Sequence, residues 1–150
     1  MNDLIYAGDM LLDAWLNLTS TLWNTRLVSS MTFNEAHVLG ILLRREADDV
    51  PMTATDLIRH TRQLKSQMNK ILTTLEGRGY ISRVRAERDK RMIHIHLSQE
   101  GRQAYCDQHQ HVEAILSTLI DRIGADRAQS IARELSEITE ILDEIVPLPK

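Results

Sequence analysis

Arg85, Arg88, Lys90 and Arg91 put four cations into seven consecutive positions, with Asp89 set among them. Cations at that density bind phosphate or carboxylate by charge, and need no catalytic partner to do so. The stretch that carries them, ISRVRAERDKRMIHIHL from Ile81 to Leu97, alternates apolar and polar residues on both sides of a polar tip. Alternation with period two predicts two paired strands, so the cations ride on a β-hairpin even though its tip lacks the usual Asn-Gly turn. A basic hairpin suits a nucleic-acid backbone, with Arg88 and Lys90 placed to enter a minor groove, where negative potential concentrates. Asp89 alone would be repelled by phosphate; paired with Arg91 or another nearby arginine, it would hold the tip in shape.

A second polar set lies upstream. Thr53-Ala54-Thr55-Asp56 predicts the start of a short helix to about His60, followed by a turn at Thr61 to Gln63 and a second helix from about Leu64 to Arg78. In that second helix Met68, Ile71, Leu72 and Leu75 share one face. Lys65, Ser66, Gln67, Asn69, Lys70 and Thr73 are left for the other sides, with donors and acceptors able to meet base edges or phosphates. Gln67 and Asn69 are the best base-reading candidates. Helix, turn and helix make a helix-turn-helix, whose second helix enters a major groove. It ends in Glu76-Gly77-Arg78-Gly79-Tyr80 directly before the hairpin, and that order spells a winged helix.

The elements that must position these residues are mostly helical. With 150 residues, 43% of them apolar and only 4% aromatic, the chain is long enough for one buried core with helical extensions. Residues 3 to 25 carry Leu4, Leu11, Leu12, Trp15, Leu18, Leu22 and Trp23 at helical spacing, and Thr32-Phe33-Asn34-Glu35 has the form of a capping box for a helix to about Glu46. Pro51 keeps that helix apart from the next. After the hairpin, Ser98 caps a long helix that should end at Gly124 in a left-handed cap. Asp126 is the expected cap of a last helix, in which Ile131, Leu135, Ile138, Leu142 and Ile145 form a coiled-coil-like seam closed by Pro147 and Pro149.

Charge follows the same division. The net charge is -3, yet residues 52 to 102 hold eleven Lys/Arg against five Asp/Glu, while residues 1 to 51 and 103 to 150 are acidic. The basic middle is the footprint that phosphate binding requires. The end helices are apolar along a stripe and acidic outside it, so they either pack on each other within one subunit or, as is expected here, interleave in a homodimer. Residues 1-30 and 103-150 are therefore expected to serve dimerisation, and 32-102 to form the DNA-binding lobe, within a single domain spanning 1-150. Cys106 is the only cysteine, so no intrachain disulfide is possible, and a redox role would require nearby cationic groups. With no apolar run of membrane-spanning length and no basic flank before an apolar core, a cytoplasmic location is expected. No nucleophile motif, glycine-rich phosphate loop or metal-hydrolase spacing is present, so an enzyme is not expected, nor a cofactor.

The stretch LEGRGYISRVRAERDKRMIHIHLSQEGR, from Leu75 to Arg102, resembles the MarR family of bacterial transcriptional regulators. The shared pattern is a leucine-ended recognition helix, a Gly turn, an Arg-bearing strand, an Asp-x-Arg wing tip, a second strand and a Leu-Ser-x-x-Gly entry to a long helix. Phe33 to Leu43 fits the family's second helix more loosely, and Gln63-Leu64 departs from the usual apolar residue and Ser cap at the recognition-helix start. The resemblance implies a mostly α fold with a small β-hairpin wing, a winged helix-turn-helix flanked by N- and C-terminal dimerisation helices. It also implies a homodimer on a pseudo-palindromic operator in double-stranded DNA, usually a repressor released by a small molecule. By the same resemblance Asp89 and Arg91 form the wing pair, and Arg83 supports the wing base and joins the DNA-binding set.

Many family members bind an aromatic or apolar effector between the dimerisation helices and the DNA-binding lobe; Trp15, Trp23, Met31, Phe33, His37 and Leu43 could line such a crevice here. A zinc-responsive variant of the same fold would draw on His37, Asp107, His109 and His111, of which Asp107 and His111 lie one helical turn apart. His94 and His96 share one face of their strand. The alternative from another class is a winged helix that contacts an acidic protein partner rather than DNA.

Overall fold

A computed structural model describes residues 2–24 and 30–146, with side chains described for 3–22 and 30–146. Among the described residues six helices and one hairpin follow in the order α1 (Asn2–Asn24), α2 (Phe33–Ala47), α3 (Ala54–Thr61), α4 (Lys65–Gly77), β1 (Ile81–Arg85), β2 (Ile93–Leu97), α5 (Gln99–Ile123) and α6 (Ala125–Ile145). This is the expected winged-helix architecture. Pro147, Pro149 and the Trp23 side chain lie outside the described residues.

Local chemistry accounts for the boundaries. Thr32 and Thr53 each accept from the backbone amide three residues on, and the carboxylates of Glu35 and Asp56 return to the threonine amides at 2.8 and 3.0 Å. Both pairs are capping boxes, which satisfy amide donors that a helix start leaves free. Ser98 caps α5 by accepting from Gly101 at 2.9 Å. At the other end of α5 the outcome differs from the expectation. Gly124 has φ 86 and ψ 145, positive but extended rather than left-handed helical, and it serves as both the last cap of α5 and the first cap of α6. Asp126 is therefore a first-turn residue inside α6 and not its cap; there its charge complements the helix dipole.

The core belongs to the middle of the chain. Among the described residues twelve buried apolar side chains run from Met31 to Ile95 and include Val38, Leu39 and Leu42 of α2, Leu57 of α3, Met68, Leu72 and Leu75 of α4, and Ile81 and Ile95 of the hairpin. Burying each such side chain contributes about 1.5–3 kcal/mol, so this cluster fixes α4 against α2 and α3. Strands β1 and β2 pair antiparallel, Ile81 opposite Leu97, Arg83 opposite Ile95 and Arg85 opposite Ile93. Met52 extends the sheet by one bridge, its carbonyl accepting from the Ile95 amide at 2.8 Å.

Helix α5 leaves this lobe by a close backbone crossing. A Cβ at Gly101 would sit 2.1 Å from the Tyr80 carbonyl oxygen, and one at Gly40 would sit 2.8 Å from the Tyr105 hydroxyl, so two glycines set the approach of α5 to the wing base and to α2. Beyond that crossing the packing thins. Helix α6 buries no residue, and on α1 every described side chain except Thr19 is exposed.

Candidate nucleic-acid interface

Burial sorts the residues of α4 as its periodicity predicts. Met68, Leu72 and Leu75 face the core, while Lys65, Ser66, Gln67, Asn69, Lys70 and Thr73 are all exposed. The helix begins without a conventional cap. Leu64 offers no side-chain acceptor, and the Gln67 Oε1 instead accepts from the Leu64 amide at 3.3 Å. The departure at Gln63-Leu64 thus has a local compensation, and it commits one end of the Gln67 amide. Asn69 carries no such bond and is the less encumbered of the two amide side chains. Gln63, for its part, donates from Nε2 to Asn34 Oδ1 at 3.2 Å, tying the turn to α2.

The wing is held at both ends. At its base Arg83 reaches back to α4, with Nε 3.3 Å from Glu76 Oε2 and a second nitrogen 3.4 Å from the Thr73 hydroxyl. Thr73 is thereby drawn into the support of the wing. At its tip the Met92 amide donates to the Asp89 carbonyl at 2.9 Å, closing a four-residue turn, and Asp89 Oδ1 accepts from the Arg91 backbone amide at 3.0 Å. Asp89 and Arg91 are joined through the backbone of Arg91 and not its guanidinium. An aspartate at the first position of a turn makes this bond readily, because its short side chain reaches the amide two residues on. Arg88, Lys90 and Arg91 are exposed, and none of them enters an ion pair among the described residues.

The remaining sequence candidates separate in space. Phe33 and His37 of α2 do line a groove of about 300 Å³, but with Ala36 and with Tyr105, Gln108, His109 and Val112 of α5. Met31 belongs to the core, Leu43 is half-buried in α2, and Trp15 is exposed on α1; none of the three lines that groove. Burial, then the positive charge of Arg44 and of His60, holds the His37 imidazole below its ordinary pKa. His109 stacks on Tyr105 at 5.4 Å and lies 3.2 Å from Glu113, while Asp107 accepts from Gln103 at 2.8 Å. No group of three or more metal-binding side chains occurs among the described residues, so His37, Asp107, His109 and His111 are not gathered into a zinc site. His94 and His96 meet edge to face, 6.3 Å between ring centres, in a cleft of about 370 Å³ bordered by Glu46, Asp49 and Pro51. Cys106 is half-buried on α5.

Sequence reasoning missed residues whose partners are distant in the chain. Glu35, buried under its cap, also meets Arg78 at 3.4 Å and so pins the end of α4 to the start of α2. Arg62, in the turn before α4, binds Asp143 of α6. No local pattern marks either pair.

A sequence profile of the MarR family matches residues 29–92, from the approach to α2 through the wing tip. Over those residues the chain resembles that family in sequence, and there it has a winged-helix fold. Solved structures extend the likeness in fold to the flanking helices. PcaV, a transcriptional regulator from Streptomyces coelicolor solved with its natural ligand, superposes with a TM-score of 0.73 at 17% identity over 87% of this chain and 89% of its own. The DNA complex of MepR from S. aureus gives 0.70 at 16% identity, covering 89% of this chain and 94% of that one. BpsR of Bordetella bronchiseptica, whose DNA binding is regulated by 6-hydroxynicotinic acid, gives 0.71 at 18% identity over 88% and 91%. No curated protein matches the chain. None of the described helices is long and apolar enough to cross a membrane.

Proposed function

We propose that this chain, a DNA-binding transcriptional regulator of the MarR type, acts as a homodimeric repressor that occludes a promoter by binding a pseudo-palindromic operator. The observation that carries the reading is the exposed row Lys65, Ser66, Gln67, Asn69, Lys70 and Thr73 on a helix whose opposite face is locked in the core, beside a wing tip whose three cations enter no ion pair among the described residues. In this reading α4 enters the major groove with Asn69 and Gln67 at base edges, and Lys65, Ser66 and Lys70 position it on phosphates. Arg88, Lys90 and Arg91 of the wing follow the adjacent minor groove, and Arg83 with Thr73 fixes the wing's angle to α4.

Dimerisation uses residues 1-30 and 103-150, and the lobe is 32-102. The chain exposes 11589 Å² at 17.2 kDa, whereas a compact monomer of that mass exposes about 7,800 Å². Much of the excess is apolar: Leu4, Tyr6, Leu11 and Trp15 of α1, Leu116 and Leu119 of α5, Leu135 and Ile145 of α6 are all exposed. A second copy covers them most simply, because closed two-fold pairing places two α4 helices at matching half-sites.

The groove between α2 and α5 is the proposed effector site, with Phe33 and Tyr105 as apolar walls and His37 and His109 as polar ends. A small aromatic compound there bridges the lobe and the dimerisation helices, and shifts the population between two spacings of the α4 pair. The test is binding to a duplex from upstream of the protein's own coding region at several salt concentrations. A dimer binding one site with a steep salt dependence is expected. Binding that is weak, shallow in salt and indifferent to sequence would instead favour a protein-interaction module.

A further inference from the structure

We propose that Arg62 and Asp143 form a clasp that positions the start of the recognition helix according to the placement of α6. The inference rests on α4 being the DNA-reading helix. Arg62 is the residue that ends α3, and it does so at φ 57 and ψ 24, a left-handed conformation that glycine or asparagine usually supplies. Its amide donates to the Ile58 carbonyl at 2.8 Å, completing the helix end. From there its guanidinium meets both oxygens of Asp143, at 2.9 and 2.5 Å, across 81 residues of sequence. A two-pronged arginine–carboxylate pair fixes direction as well as distance, which a lysine could not do.

The location gives the pair its consequence. Three residues, Arg62, Gln63 and Leu64, separate α3 from α4, and each is tied to something different: Arg62 to α6, Gln63 to Asn34 of α2, and Leu64 to Gln67 of α4 itself. Helix α5 is fixed to the lobe through Gly101 and through Arg102 with Glu46. Helix α6 joins α5 through the single residue Gly124, and Asp143 lies at its far end, where 21 residues amount to about 30 Å of lever. Among the described residues, Arg62 to Asp143 is the polar side-chain link between α6 and the lobe. A change in the angle between α5 and α6 therefore reaches the turn that aims Lys65, Ser66 and Gln67. Half-exposure of both partners keeps the strength modest, so the clasp biases the turn without locking it.

Arg62 lies close enough to α4 for its own charge to act on phosphate, so Asp143 is the informative position. The probe is a duplex enriched by the wild-type protein from a randomised library, with an unselected duplex as reference. Asp143→Asn is expected to weaken the enriched duplex by about two- to five-fold, with the reference duplex and the salt slope unchanged, and to have no further effect in the Arg62→Ala background. Equal or tighter binding of both duplexes by Asp143→Asn overturns the clasp, since removing an acidic charge then accounts for everything. Failure of the wild-type protein to enrich any sequence counts against the reading of α4 and leaves a second measurement decisive. Hydrogen exchange of the amides of residues 62 to 67 in the free protein should quicken in Asp143→Asn, and identical exchange in the two proteins rejects the clasp outright.

Discussion

Asp89 holds the wing tip through the Arg91 backbone amide, 3.0 Å from its Oδ1, and does not engage the Arg91 guanidinium. The bond needs an acceptor and not a charge. Asp89→Asn should therefore keep the turn and, with one anion fewer beside phosphate, bind DNA as tightly as the wild type or more so. Asp89→Ala should lose the turn and about 1 kcal/mol of its order, with weaker binding. Titrations of both variants with one duplex check this, and equal losses in the two would restore the ion-pair account.

The contrast shows what a sequence can and cannot announce. The capping box at Thr32, the helix start at Thr53, the buried row Met68, Leu72 and Leu75, and the hairpin from Ile81 to Leu97 depend on neighbours a few residues apart, and each is legible from spacing alone. The basic tip was legible for the same reason. What escaped depends on the tertiary path: Tyr105 opposite Phe33, Arg78 over Glu35, Arg62 on Asp143. Spacing within one helix cannot reveal which face of another it will meet. Gly124 departs from a left-handed cap because one residue closes α5 and opens α6, a demand that comes from the α5–α6 turn and not from local spacing.

Of the six glycines, Gly101 leaves the least room for a side chain. The Leu-Ser-x-x-Gly entry to α5 places a residue without a side chain where a Cβ would overlap the Tyr80 carbonyl, and backbone cannot yield as a side chain can. Gly101→Ala should cost about 1–3 kcal/mol and shift the wing base. Denaturant unfolding would show it as a lowered midpoint, whereas Gly77→Ala, with open space around it, should change stability far less.

Base reading and phosphate holding separate by their response to salt and sequence. Asn69→Ala should lower the preference for the selected duplex over a random one by about 1–3 kcal/mol while leaving the salt slope alone. Lys90→Ala should weaken both duplexes alike and reduce the slope by about one. Exchange of the two patterns would move the reading role from α4 to the wing.

The exposed seam of α6 gives the oligomer test. Ile131 and Leu135 stand open to solvent while Ile138 and Leu142 are half-buried along the same stripe, so the seam is covered unevenly by its own chain. Ile131→Glu with Leu135→Glu should convert a dimer to a monomer in sedimentation and lower operator affinity by at least tenfold, because two half-sites no longer bind together. A wild-type protein that sediments as a monomer at micromolar concentration would refute the dimeric reading before any variant is made.

His37 makes the stability of the lobe depend on pH in a stated direction. Burial, aided by Arg44 and His60, lowers its pKa in the folded chain below the ordinary value of 6.5. On acidification the unfolded imidazole takes up its proton first, so the unfolded state binds more protons in that interval and gains relative stability. The contribution is complete above about pH 6.5 and is lost as pH falls from there through the depressed folded value. Urea midpoints measured from pH 7.5 downward should thus fall more steeply for the wild type than for His37→Gln, which cannot titrate. An apolar compound filling the groove beside Phe33 and Tyr105 would desolvate the imidazole further, and its affinity should weaken over the same acidic interval.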